Sequence, residues 1–98
     1  MSLETAHIGV LYVEIFIPLS GSLKSKRSVL KSIKDRLRSQ FNVSVAEIGE
    51  RDKWQRSVLA ACVVGADKTY LDQCLQSILS FFNNVHDIQL IQHQIEFL

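Results

Sequence analysis

Two hydrophobic periods alternate along this chain, one of two residues and one of about 3.6, and their order constrains the fold most. The two-residue period, rich in β-branched and aromatic side chains, predicts strands at residues 8–17, 41–50, 56–65 and 88–97. Apolar residues at helical spacing predict one helix from about residue 22 or 23 to residue 40 and a second over roughly residues 68–83. Ser22 and Asp67 precede these helices and are the expected N-caps. The predicted order is βαββαβ.

This order is typical of the α+β ferredoxin-like sandwich, in which a four-stranded antiparallel sheet carries two helices on one face. We expect a single domain over residues 1–98, with residues 1–6 frayed or derived from a tag. The third strand is apolar on both faces, which predicts a central and fully covered position. In the last strand, Ile91, Ile95 and Phe97 are expected on one side.

Composition bounds the class of protein but names no reaction. With 47% hydrophobic and 21% charged residues, the chain is neither disordered nor a coiled coil. Its apolar runs are far shorter than the roughly 20 residues of a membrane helix, and no signal-peptide layout is present. We therefore expect a cytoplasmic protein. Cys62 and Cys74 are expected to be buried free thiols, and no metal or cofactor is expected.

No catalytic signature stands out, so a non-enzymatic protein is expected. Acylphosphatase-like enzymes share the predicted topology but need an arginine in a glycine-lined loop after the first strand. Residues 18–23 contain one glycine and no arginine. Glu14 and Glu47 are strand carboxylates, but an acid–base role would leave them without a histidine, nucleophile or metal partner.

The near-neutral net charge of +1 hides a strongly basic segment. Residues 24–38 carry +6 and the rest of the chain carries −5. Asp35 is the only acid of the segment, and it is expected on the solvent-facing side of the helix, opposite the apolar face, where it partly relieves the repulsion. Five of the basic residues fall within about 80° of the first helix, and we call them the basic row: Lys24, Arg27, Lys31, Lys34 and Arg38. A polyanion partner and a merely solvated basic helix both fit this pattern.

The open sheet face is the second candidate surface. Tyr12, Glu14 and Phe16 are expected on it, where a bare apolar area favours burial against another chain. RNA-recognition modules of this topology stack bases on aromatic residues of the first and third strands, but the third strand here has no aromatic residue. Base stacking on the sheet is therefore excluded, and Tyr12, Glu14 and Phe16 are predicted as an oligomer interface.

Three stretches of the chain resemble the YlxP-like family of bacterial proteins: residues 22–38, residues 41–47 and residues 52–56. The resemblance implies a ferredoxin-like fold and an uncharacterised function. Genes of that family commonly sit among translation and ribosome-maturation genes, which implies an RNA or ribosome context by association. The motif positions carried over are Ser22, Leu23, Lys24, Lys26, Arg27, Asn42, Ser44, Glu47, Asp52, Trp54, Gln55 and Arg56.

The Trp54-Gln55-Arg56 motif leaves alternatives open. Trp54 is either an apolar lid at the end of the sheet, a dimer contact, or a residue that stacks on a base. Gln55 and Arg56 are able to bind phosphate or base edges, and an ion pair of Arg56 with Glu47 or Asp52 is equally compatible with the sequence.

The leading hypothesis is a non-enzymatic RNA- or ribosome-associated binding module. The alternative is a homo-oligomeric protein-interaction domain that contacts an acidic protein. A third hypothesis is small-anion binding by the free amides after Ser22, with Lys24, Lys26 and Arg27. The predicted nucleic-acid-binding residues are Lys24, Lys26, Arg27, Lys31, Lys34, Arg38, Trp54, Gln55 and Arg56.

Overall fold

Six elements follow one another in the predicted order in a computed structural model that describes residues 3–98. Their bounds are β1 His7–Phe16, α1 Leu23–Gln40, β2 Ser44–Gly49, β3 Arg56–Gly65, α2 Lys68–Asn83 and β4 Gln89–Phe97. Leu3 to Ala6 form no helix or strand. The expectation of a frayed or tag-derived start extends to Met1 and Ser2, which lie outside the described residues.

The four strands form one antiparallel sheet in the order β2-β3-β1-β4. Tyr12 at the middle of β1 pairs with Ala60 of β3 and with Gln94 of β4. With the element order βαββαβ, this arrangement confirms the ferredoxin-like fold.

One face of the sheet and both helices enclose the core, because side chains of alternate strand residues point to opposite faces. β1 contributes Leu11, Val13 and Ile15 to a core whose helical residues are Leu30, Ile33, Leu37, Leu71, Leu75, Ile78 and Phe82. Gly9 lets α2 approach β1 closely, since a Cβ atom there would lie 2.7 Å from Leu75 Cδ1.

The helices cover only one face of β3, so the expectation that this strand is fully covered is wrong. Val58, Ala60 and Cys62 alternate with its core residues and remain partly accessible. With the outward residues of β1, they form the surface that we call the open face.

Both edge strands differ from what the two-residue period predicts. β2 begins only at Ser44, because the Phe41 N–H still donates to the Leu37 carbonyl at the end of α1. In β4, Leu90 pairs with core residue Ile15, whereas Ile91 is the extra residue of a bulge and is 44% exposed. The expected placement of Ile91 beside Ile95 and Phe97 is therefore wrong.

The predicted N-caps are confirmed. Ser22 Oγ accepts a hydrogen bond from the Ser25 N–H at 3.0 Å, and Asp67 Oδ1 accepts one from the Tyr70 N–H at 2.8 Å. Each bond satisfies one of the amide groups that the first turn of a helix leaves without a partner.

Replacing Ser22 with Ala removes the only side-chain acceptor that the structure gives to the first turn of α1. We expect the free energy of unfolding to fall by about 1 kcal/mol, measured by urea denaturation. Ser28→Ala is the matched control, because Ser28 is exposed in the middle of α1 and alanine favours helices. Equal losses in both variants would contradict the capping role.

Candidate nucleic-acid interface

The basic row lies along α1 beside the edge strand β2. Lys24, Arg27, Lys31 and Arg38 are exposed, and Lys34 is half-buried. The Arg38 guanidinium reaches the edge strand, where its Nη2 donates to the Val45 carbonyl at 3.4 Å. A shallow groove between α1 and β2 is lined by Arg27, Leu30, Lys31, Lys34, Asp35, Arg38 and Glu47. The row is thus a continuous surface with a groove at its base.

Asp35 lies on the solvent-facing side of α1, as expected, and contacts two members of the row. Its Oδ2 accepts a hydrogen bond from Lys31 Nζ at 2.7 Å, and its Oδ1 lies 3.9 Å from Arg38 Nη1. The hydrogen bond from Lys31, with the charges of Lys31 and Arg38, holds the pKa of Asp35 below its usual value. One carboxylate therefore partly neutralises two members of the row.

Lys26 was predicted to bind nucleic acid, and the structure corrects that placement. The residue is 1% exposed, and its Nζ lies 2.8 Å from Glu47 Oε2. Nζ also donates to the carbonyls of Glu50 at 2.7 Å and Arg51 at 3.5 Å. Lys26 is therefore engaged inside the protein and cannot contact a phosphate, because all its donors already have partners.

The same contacts take Lys26 out of the anion site predicted at the start of α1. Lys26 points inward, and Ser22 Oγ accepts from the Ser25 N–H. Only Lys24 and Arg27 of the proposed ligands remain exposed.

Glu47 is held between two partners on the helix-covered side of the sheet. Its Oε2 accepts a hydrogen bond from Ser57 Oγ at 2.7 Å in addition to the ion pair with Lys26. Glu47 pairs with core residue Leu59, whereas Glu14 pairs with Val58 on the open face. The two carboxylates thus lie on opposite faces of the sheet and cannot act as an acid–base pair.

Residues 50–55 connect β2 to β3, and we call them the hairpin end. They lie next to the start of α1. Glu50 adopts a positive φ of 58°, and its carbonyl accepts the Lys53 N–H at 3.1 Å. Trp54 is 56% exposed, so it does not close the sheet as a lid. It lines a shallow pocket with Phe16, Ser20, Gly21, Lys53, Gln55 and Arg56.

The other two residues of the motif are occupied within the chain. Gln55 Nε2 donates to the Pro18 carbonyl at 3.0 Å, and the Gln55 carbonyl accepts the Ile17 N–H at 2.8 Å. Arg56 Nη1 lies 3.1 Å from Glu14 Oε2, so the ion pair expected with Glu47 or Asp52 is wrong. The motif fastens the hairpin end to the end of β1 and leaves Trp54 accessible.

The open face is largely apolar, and the charge of Glu14 on it has partners. Tyr12, Glu14 and Phe16 lie on it and are half-buried by their neighbours. Glu14 is bound on both oxygens, since Gln92 Nε2 donates to its Oε1 at 2.7 Å and Arg56 pairs with its Oε2.

Other chemical groups of the described chain do not gather into a site. Cys62 and Cys74 are free and half-buried rather than fully buried as predicted. Among residues 3–98, no three histidine, cysteine, aspartate or glutamate side chains lie close enough together to hold a metal ion. Within the same residues, no helix is long and apolar enough to cross a membrane.

Comparison with known proteins gives one family and one relative. Residues 8–95 match the family described as "Protein of unknown function (DUF503)". The uncharacterized protein YlxP of Bacillus subtilis (strain 168) is 39% identical over 82 residues, which are 84% of this chain and 89% of that protein. The predicted resemblance to YlxP-like proteins is confirmed.

The lowered pKa of Asp35 gives a pH-dependent prediction. Because the pKa is lower in the folded chain than in the unfolded chain, the ion pairs stabilise the fold above the ordinary carboxyl pKa. That contribution is lost as the pH falls through the lowered pKa. In an NMR titration of side-chain carboxyls, Lys31→Met should move the Asp35 pKa up towards its ordinary value. Lys68→Met removes the same charge from α2 and should leave it unchanged; an equal shift in both variants would contradict the local contact.

Proposed function

The chain belongs to the DUF503 family of proteins of unknown function, and we propose that it is a non-enzymatic RNA-binding module with a ribosomal or other structured RNA as its partner. The observation that carries the proposal is the basic row. Its five side chains share one side of a single helix, and one acid, Asp35, lies among them.

The basic row is long enough to span several phosphates of a nucleic-acid backbone. Lys24 and Arg38 are separated by about 20 Å along the helix axis, given a rise of about 1.5 Å per residue. Phosphates repeat every few ångströms along a strand, so the row contacts several of them at once. Such contacts position a strand without reading its sequence. Like charges at helical spacing also repel each other by a few tenths of a kcal/mol per pair, and a polyanion would relieve that cost.

The hairpin end extends this surface beyond the first turn of α1. Arg27 and Arg51 line one shallow depression with Leu23, Glu47 and Asp52, and Lys53 and Trp54 line the next. An exposed tryptophan beside basic residues is able to stack on an unpaired base. In this arrangement Gln55 and Arg56 support the position of Trp54 through their bonds to Pro18 and Glu14.

Neutralising two exposed members of the row tests the proposal. With about four phosphates contacted, the logarithm of affinity should fall with the logarithm of salt concentration at a slope of about −3. In Lys24→Gln/Lys31→Gln the slope should flatten to about −1.5 and affinity should drop. The measurement is fluorescence anisotropy of a labelled RNA hairpin over a series of salt concentrations.

A charge-matched control separates the row from net charge. Gln73→Glu/Gln76→Glu also lowers the net charge by two, but both positions are exposed on α2. This variant should keep nearly the parent slope. If the two variants bind alike, or if the lysine variant binds as the parent does, the basic row is only a solvated face. Recovery of a protein partner that survives nuclease treatment, in place of RNA, would favour an acidic protein as the ligand.

Self-association through the open face is a second candidate function, favoured by the state of Glu14. A buried carboxylate normally requires a partner, and here Arg56 and Gln92 already satisfy both oxygens. A second copy is therefore able to cover Tyr12 and Phe16 without leaving an unpaired charge at the interface.

A charge placed at the centre of the open face tests self-association. Ala60 pairs with Tyr12, and Ala60→Lys should convert a dimer of the parent into a monomer at tens of micromolar, as measured by light scattering. Gln73→Lys adds the same charge on α2 and should leave the dimer intact. A parent protein that is strictly monomeric at these concentrations would contradict the interface.

A further inference from the structure

Lys26, the buried lysine of α1, is not part of the basic row and contacts the hairpin end instead. We propose that Lys26 is the positioning residue that holds the hairpin end, and Trp54 with it, in a fixed place beside α1. The inference deepens the proposed function and rests on it only for the measurement with RNA.

Geometry shows what the ammonium holds. Lys26 extends from the first turns of α1 and ends between a strand carboxylate and two consecutive backbone carbonyls, those of Glu50 and Arg51. Burying an ammonium is costly unless its donors are paired. The backbone is restrained in turn, because the two carbonyls must stay in place for the ammonium to keep its hydrogen bonds.

Glu50 is the residue that needs this support. Its φ of 58° lies in the left-handed region, which costs a non-glycine residue free energy and favours glycine. The Glu50 carbonyl accepts both the Lys26 ammonium at 2.7 Å and the Lys53 N–H at 3.1 Å. A charge-assisted hydrogen bond therefore fastens the one strained residue of the turn that leads to Trp54.

The turn is also tied to β1 on its other side. The Gln55 carbonyl accepts the Ile17 N–H, and the Gln55 side chain donates to the Pro18 carbonyl. Trp54 lies between the Lys26 contacts of Glu50 and Arg51 and these bonds of Gln55, and within residues 3–98 it makes no hydrogen bond of its own. Without the Lys26 attachment, the first half of the hairpin end is free to move and Trp54 with it.

The test replaces the buried lysine and follows the hairpin end directly. In Lys26→Met, exchange of the Lys53 amide with deuterated water should accelerate at least about tenfold, while amides in the middle of α2 keep their protection. Fluorescence anisotropy of Trp54, the single tryptophan of the chain, should fall. Lys31→Met is the matched control, because it removes the same charge from an exposed position of the same helix.

Two further variants keep the test valid if the single change unfolds the protein. Lys26→Met/Glu47→Leu/Ser57→Ala replaces the whole buried polar cluster with apolar groups, a change that folded proteins often tolerate. The hairpin end should loosen in this variant as well. Adding Glu50→Gly should restore protection of the Lys53 amide in part, because glycine adopts the left-handed conformation without support. Unchanged protection in a folded variant that lacks Lys26 would overturn the proposal.

Affinity for RNA distinguishes positioning from simple stabilisation. If Lys26 acts through Trp54, Lys26→Met should lower affinity in the parent but cause no further loss in a Trp54→Ala background. The salt slope should stay the same in both. Additive losses would overturn the coupling. If the parent protein binds no RNA, only the proposed function is contradicted, because the exchange and tryptophan-anisotropy measurements of the hairpin end need no ligand.

Discussion

The contact between Lys26 and Glu47 is the interaction on which the arrangement of the candidate surface depends. Removing an ammonium and a carboxylate from water is costly, and it is tolerated only where each charge finds complete partners. This chain supplies them from three different elements: α1 through Lys26, β2 through Glu47 and the hairpin end through its carbonyls. If one of these elements shifts against the others, a buried charge loses its partner. The aliphatic core holds the helices on the sheet, but it is this polar cluster that sets the position of the surface residues around it.

Much of the fold could be predicted because its determinants are local. An N-cap needs one oxygen three residues before an amide, so Ser22 and Asp67 were recognisable from their positions alone. The helix bounds follow from the same locality, and α1 and α2 begin and end at the predicted residues. Bulges are different, since one inserted residue reverses the faces of all that follow and leaves no mark in composition. For that reason Ile91 was assigned to the wrong side.

Lys26 was misplaced for another reason, and the sequence contained the signal. At about 100° per residue, Lys26 falls inside the sector of α1 that holds Leu30, Ile33 and Leu37. Glu47 likewise follows Val45 by two residues, on the inward side of its strand. Two opposite charges on two inward faces predict a buried pair. A count of the basic residues in the segment treats every lysine as a surface charge, so it does not show that Lys26 is buried.

The exposed charge of α1 is consequently smaller and better organised than the sequence suggests. Lys26 is neutralised inside, Asp35 offsets part of Lys31 and Arg38, and Arg36 lies 5.0 Å from the ring of Phe81 on α2. What remains is a row at one edge of the molecule that is able to hold a strand by its phosphates, and such contacts position a strand without reading its sequence. In the proposed function, a preference for unpaired over paired RNA comes from the hairpin end, where an aromatic side chain is accessible for stacking. An aromatic contact contributes most to affinity when its position is fixed beforehand, because an unordered side chain loses rotational freedom on binding. In the proposed function, the buried lysine and the exposed tryptophan are thus two parts of one arrangement, in which a charge inside the protein fixes the position of an aromatic contact on its surface.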